Sequence, residues 1–129
     1  MACAVRFPVW RHQRVGTGFH EVSARQSDFA FVAAAAQVAL DDAGRCIEAT
    51  LGLGGVGDRA IRIDVAPLVG SVPTRAAITE LVRAATADLE ASSDLHATAD
   101  YRRRVAVTLG TRALEDAFSD ARSGNGALQ

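Results

Sequence analysis

Three histidines, one tyrosine, a glycine cluster and a run of arginines are the residues with types and spacing suited to chemistry. His20 stands beside Glu21, and on a strand two neighbours point to opposite faces, so they cannot act as one pair. His96 lies between Asp94 and Asp100, where a helix start favours a carboxylate. That grouping suits acid–base chemistry, or else a simple cap with a surface histidine. Tyr101 is the only tyrosine and has two readings. It either packs its ring on an apolar face with its hydroxyl bonded at the rim, or takes part in proton transfer. Ser92 and Ser93 read as caps before nucleophiles. With no His-x-x-x-His and no Cys-x-x-Cys, a metal site is not expected.

Gly52, Gly54, Gly55 and Gly57 invite a phosphate-binding reading. A phosphate cradle needs backbone N–H groups converging at a helix N-terminus. Here an Asp-Arg pair and a short strand-like run follow, and the spacing is wrong for Gly-x-Gly-x-x-Gly. A turn or bulge at a hairpin end fits better. Arg102, Arg103 and Arg104 fan around a helix and cannot form one narrow stripe. One or two of them are expected to pair with Asp94, Asp100 or a partner's carboxylate. Phe29, after Asp28, opens a central apolar run as core or as cover for a flat ligand.

The elements that must position these residues change character halfway along the chain. Residues 3–10 are short and β-compatible, with Pro8 favouring an edge. A polar stretch with Gly16 and Gly18 follows, then a short strand at Phe19–Val22. Residues 29–40 are alanine-rich and allow a helix by propensity. The turn signal Asp41-Asp42-Ala43-Gly44 favours a hairpin with Arg45–Leu53, where Ile47, Ala49, Leu51 and Leu53 share one parity. Ile61–Ile63 alternates as a strand, and residues 64–70 suggest one helical turn ending at Gly70. Thr74 caps a helix with its stripe at Ile78, Leu81, Val82, Ala85 and Leu89, stopped by Ser92-Ser93-Asp94. Thr98 caps a second helix of about 20 residues, marked by Tyr101, Val105, Leu109, Ala113, Ala117 and Phe118. The predicted class is α+β: a small antiparallel sheet with about three helices on one face. Residues 1–122 read as a single domain and 123–129 as a flexible tail.

Composition narrows the function. At 129 residues and 13.5 kDa there is room for one ordinary domain, not for an enzyme with its own cofactor domain. Roughly one residue in five is alanine, so each buried side chain contributes little and close backbone packing or a partner surface must compensate. Net charge is -1, with 14 basic residues, all of them Arg, against 15 acidic ones. That balance gives no footprint for nucleic acid or an anionic membrane. Cys3 and Cys46 make no disulfide framework, which points to free thiols and a cytoplasmic chain. No apolar run reaches membrane length, and Arg6, Arg11 and Arg14 interrupt any signal-peptide core.

Several separated segments resemble one family in order. They are Ala4-Val5-Arg6-Phe7-Pro8, Phe19-His20-Glu21-Val22-Ser23, Asp28-Phe29-Ala30, Leu40-Asp41-Asp42-Ala43-Gly44-Arg45 and Leu53-Gly54-Gly55-Val56. The most specific is Ser93-Asp94-Leu95-His96-Ala97-Thr98-Ala99-Asp100-Tyr101-Arg102. Over about residues 4–118 the chain resembles the C-terminal domain of the FAD-binding medium subunit of molybdenum hydroxylases, the carbon monoxide dehydrogenase and xanthine dehydrogenase group. The resemblance implies an antiparallel sheet with three helices beside a larger FAD domain. It also implies that the position of Phe29 carries an aromatic near the isoalloxazine ring, usually tyrosine, so Phe29 keeps the ring without the hydroxyl. The family's FAD-phosphate loops belong to the domain that has no counterpart here. FAD is therefore expected only with a partner chain, and no cofactor with this chain alone.

Three roles follow. In the first, the chain is an accessory part of a flavoprotein oxidoreductase that helps close the FAD site and packs the complex for electron transfer. In the second, it is a reused domain: a homo-oligomeric small-molecule-binding protein or a biosynthetic isomerase or cyclase, with His20, His96 and Tyr101 as catalytic candidates and Phe29 against the ligand. In the third it is a structural remnant. The first predicts an exposed apolar patch covered by another protein, the second a patch buried by a dimer or a closed pocket, and the third neither.

Overall fold

Four strands and two helices organise residues 10–12, 14–23, 30–57, 59–89, 91 and 98–123, which are the residues described by a computed structural model. The strands are β1 (Arg14–Ser23), β2 (Ala30–Leu40), β3 (Cys46–Gly54) and β4 (Ile61–Ile63). They form one antiparallel sheet in sequence order, β1-β2-β3-β4. The helices are α1 (Arg75–Thr86) and α2 (Ala99–Arg122), and α2 lies across β1, β2 and part of β3.

The turn signal folds as its chemistry requires. Asp41 Oδ1 accepts from the N–H groups of Ala43 and Arg45 at 2.9 and 2.8 Å, and Gly44 takes φ +84°. This Asx-type turn sets the β2–β3 register. Period two then buries Val32, Ala34, Ala36 and Val38 of β2 with Leu51 and Leu53 of β3 on the helix side. Ile47 departs from the expected parity. The register shifts between Ala39 and Leu40, so Cys46 faces inward and Ile47 is exposed.

Gly16 and Gly18 belong to β1, not to a polar connection, and they face α2. A Cβ on Gly16 would lie 2.0 Å from the Ala117 carbonyl oxygen, and one on Gly18 2.1 Å from that of Ala113. On the helix side, Ala113, Ala117 and Ala121 repeat every fourth residue and are fully buried. Two backbones therefore meet with almost no side chain between them.

Thr74 and Thr98 cap the two helices as expected, accepting from the N–H groups of Ala77 and Tyr101. Two α-helices are present where about three were expected. The third helical piece is a single 3-10 turn, Ala66–Leu68, started by Pro67 and closed before Gly70 at φ +88°. The first helix also ends earlier than its apolar stripe suggests. Thr86 Oγ1 donates back to the Val82 carbonyl, and Leu89 N–H bonds Thr86 O three residues back, so Leu89 packs from outside the helix. The expected strand at residues 3–10, Phe29 and the stop at Ser92-Ser93-Asp94 lie outside the described residues, apart from Trp10, which is not in a strand.

Gly18→Ala should destabilise the protein by about 1–3 kcal/mol or more, because the opposing atoms are backbone. Gly110→Ala is the control. Its Cβ would meet the ends of the Val82, Leu51 and Leu53 side chains, at 3.1, 3.4 and 3.9 Å, and no backbone, and the helix gains about 1 kcal/mol of propensity. Chemical unfolding midpoints should drop sharply for the first variant and stay close to wild type for the second. Equal midpoints would remove the backbone contact as the reason for these glycines.

Candidate functional site

Chemistry-bearing side chains gather along one flank of α2, where the helix overhangs the outer edge of β1. Positions 104, 108, 112, 116 and 120 form a ladder at four-residue spacing. At its C-terminal end Asp120 Oδ2 accepts from the Thr17 N–H of the edge strand at 3.0 Å. One turn earlier, Asp116 Oδ2 lies 2.6 Å from His20 Nε2. His20 shares the helix-facing parity of Gly16 and Gly18, which places it under Asp116, while Glu21 points to the other face and is exposed. The pair remains partly solvated, with His20 32% and Asp116 59% exposed, so it ties helix to strand more than it forms a secluded acid–base centre.

Tyr101 stands at the other end of the flank, in the first turn of α2, and is half exposed. With Val22, Arg104, Val105, Thr108, Leu109 and Arg112 it lines an open groove of about 260 Å³. No hydrogen bond joins it to His20 among the described residues. His96 and Phe29 lie outside the described residues, so of the four predicted site residues the fold places only His20 and Tyr101 on one flank. Asp116 was not singled out in the sequence. The signal was its place on the ladder facing β1, legible only once His20 is known to face the helix.

The glycine cluster has a structural partner. Arg102 is 94% buried by residue, at 6% exposure, and its Nη1 donates to the Gly55 carbonyl oxygen at 2.8 Å. Gly55 itself takes φ +79° at the end of β3, which a side chain rarely adopts. Of the neighbouring arginines, Arg103 pairs with Asp100 at 3.2 Å, as expected, and donates to the Leu89 carbonyl.

Among the described residues no helix packs on the far face of the sheet, where Ala39 is nonetheless fully buried and His12 reaches Glu48. Cross-strand pairing sets Phe19, Ala35, Gly52 and Arg62 in one row, with Glu21, Ala33 and Gly54 in the next. The Phe19 ring is 60% exposed at the rim of this floor of alanines and glycines. The face is flat and apolar at its centre, as a surface covered by another protein should be.

These residues do not by themselves fit FAD. Gly52 and Gly54 belong to a strand and Gly55 to its end, so no glycine loop presents N–H groups at a helix N-terminus. Among the described residues the grooves are open to solvent, and no group of three His, Cys, Asp or Glu side chains is placed to hold a metal ion. No helix among them is long and apolar enough to cross a membrane.

Cys46 is buried at the start of β3, and burial pushes its thiol above the ordinary value of 9.0 despite a backbone hydrogen bond at Glu48 that lowers it.

Comparison with known proteins follows this geometry. The family model described as CO dehydrogenase flavoprotein C-terminal domain matches residues 17–117. The 6-hydroxypseudooxynicotine dehydrogenase complex subunit alpha of Paenarthrobacter nicotinovorans is 35% identical over 109 residues, covering 83% of this chain and 37% of that protein. Quinoline 2-oxidoreductase from Pseudomonas putida 86 superposes with a TM-score of 0.74 at 32% identity, over 89% of this chain and 39% of the other. Carbon monoxide dehydrogenase from Hydrogenophaga pseudoflava, in a form lacking the Mo-pyranopterin moiety of the molybdenum cofactor, gives 0.76 at 25% identity, over 84% and 38%. The chain thus spans well under half the length of these relatives.

Two outcomes are expected. Arg102→Met should lower stability by about 1.5–3 kcal/mol in chemical unfolding, the scale of a hydrogen bond to a charged group. Wild-type stability in that variant would sever the link between the glycine cluster and α2. For Cys46, a raised folded pKa means that the unfolded chain loses its proton first as pH rises. Its stabilising contribution is complete below about 9 and lost above it. Unfolding free energy measured from pH 8 to 10 should fall less steeply in Cys46→Ala than in wild type; equal slopes would contradict the burial effect.

Proposed function

We propose, for a chain that belongs to the CO dehydrogenase flavoprotein C-terminal domain family of the molybdenum hydroxylases, an accessory role in a flavoprotein oxidoreductase. It packs against an FAD-binding chain, helps close the flavin site and holds the complex together for electron transfer. The observation that carries this reading is the sheet face turned away from the two described helices, where Phe19 is 60% exposed beside Ala33, Ala35, Gly52 and Gly54. An exposed aromatic on a flat floor of small residues suits the centre of a protein interface. FAD is then held mainly by that partner.

The test is purification of the tagged chain from its own host, with flavin absorbance read in the eluate. Wild type should carry a flavin-bearing chain, and Phe19→Asp should lose it by about tenfold or more, as removal of a central aromatic anchor does. FAD added to the isolated chain should cause no saturable fluorescence change. Saturable binding of FAD by the isolated chain, or a flavin-free homo-oligomer in the eluate, would overturn the proposal and favour the reused-domain role.

A further inference from the structure

Arg104 and Arg112 stand apart from the other arginines of the two helices. Arg75, Arg83 and Arg103 each hold a carboxylate, Arg102 holds the Gly55 carbonyl, and Arg122 lies over the Phe118 ring. Arg104 and Arg112 make no ion pair among the described residues. Both line the groove that Tyr101 and Val22 complete.

The same flank leaves half of an edge strand open. The Thr17 N–H points away from β2 and is taken by Asp120. Period two turns the N–H groups of Phe19 and Glu21 the same way, and no side chain among the described residues takes them. The trough between helix and edge is thus closed at its Asp116–Asp120 end and open beside Val22.

We propose that this open half takes an acidic segment of another protein chain, laid extended along β1 with carboxylates on Arg104 and Arg112. Eight helical residues separate the two arginines by about 12 Å, too far for one phosphate to bridge. Two carboxylates four residues apart on a strand span about 13 Å, which matches. Residues 1–9 and 124–129 contain no Asp or Glu, so those two stretches do not supply the segment. A second copy is a poorer occupant, because the acidic half of its own flank is engaged at His20 and Thr17. The inference stands on this flank and does not rest on the flavin reading.

The probe is a fluorescein-labelled Asp-Val-Thr-Val-Asp peptide, titrated with the full chain and followed by anisotropy. Binding should saturate, weaken with added salt, and fall about tenfold or more in an Arg104→Gln/Arg112→Gln variant, in line with the loss of two charge-assisted contacts. Circular dichroism should show that variant folded, since both side chains are on the surface. Absence of binding, equal affinity for Asn-Val-Thr-Val-Asn, equal affinity of the variant, or displacement of the peptide by equimolar inorganic phosphate would each overturn the proposal. So would a homodimer, seen by sedimentation, that the double substitution dissolves; the occupant would then be a second copy.

Discussion

The contact between the backbone of α2 and the backbone of β1 sets the rest of the structure. Gly16 and Gly18 remove the side chains that would hold the helix off, and Ala113, Ala117 and Ala121 do the same from above. The short separation brings dispersion contacts that an alanine-rich chain cannot draw from large side chains. It also fixes where the helix lies. α2 lies over β1 and β2, so its ladder from Arg104 to Asp120 overhangs the outer edge of β1. Arg102, on the opposite side of the helix, then reaches the end of β3 and fastens the glycine cluster.

Much of this was legible in the residues, and the failures have physical causes. The β2–β3 hairpin could be read because Asp41-Asp42-Ala43-Gly44 is a turn by its chemistry and the runs beside it alternate. Thr74 and Thr98 announced both helices. Gly16 and Gly18 read as a polar stretch ahead of a short strand at Phe19–Val22, and their reason for standing in β1 is a helix almost a hundred residues away. Leu89 fitted the period of α1, but periodicity does not register that Thr86 turns its hydroxyl back on the helix. The single turn expected over residues 64–70 is present as the 3-10 turn Ala66–Leu68, because Pro67 starts a helix more readily than Gly70 lets it continue. His20 and Tyr101 were found by residue type. Asp116 was missed because its relation to His20 exists only across the helix–sheet interface.

Among the described residues both helices lie on the same side of the sheet. That side buries the core. The other side around Phe19, with Ala35 and Gly52 beside it, offers little grip to a small molecule and a good seat to a protein surface. The chain belongs to the CO dehydrogenase flavoprotein C-terminal domain family, and the proposed accessory role is a division of labour between an FAD-binding partner and this packing domain.

Native mass spectrometry of the chain recovered from its own host tests that division of labour most directly, because it weighs subunits and retained small molecules together. The account predicts a complex in which this 13.5 kDa chain is joined to a heavier chain and the total includes the mass of FAD. A stable homo-oligomer of this chain alone, with or without a small molecule, would contradict it.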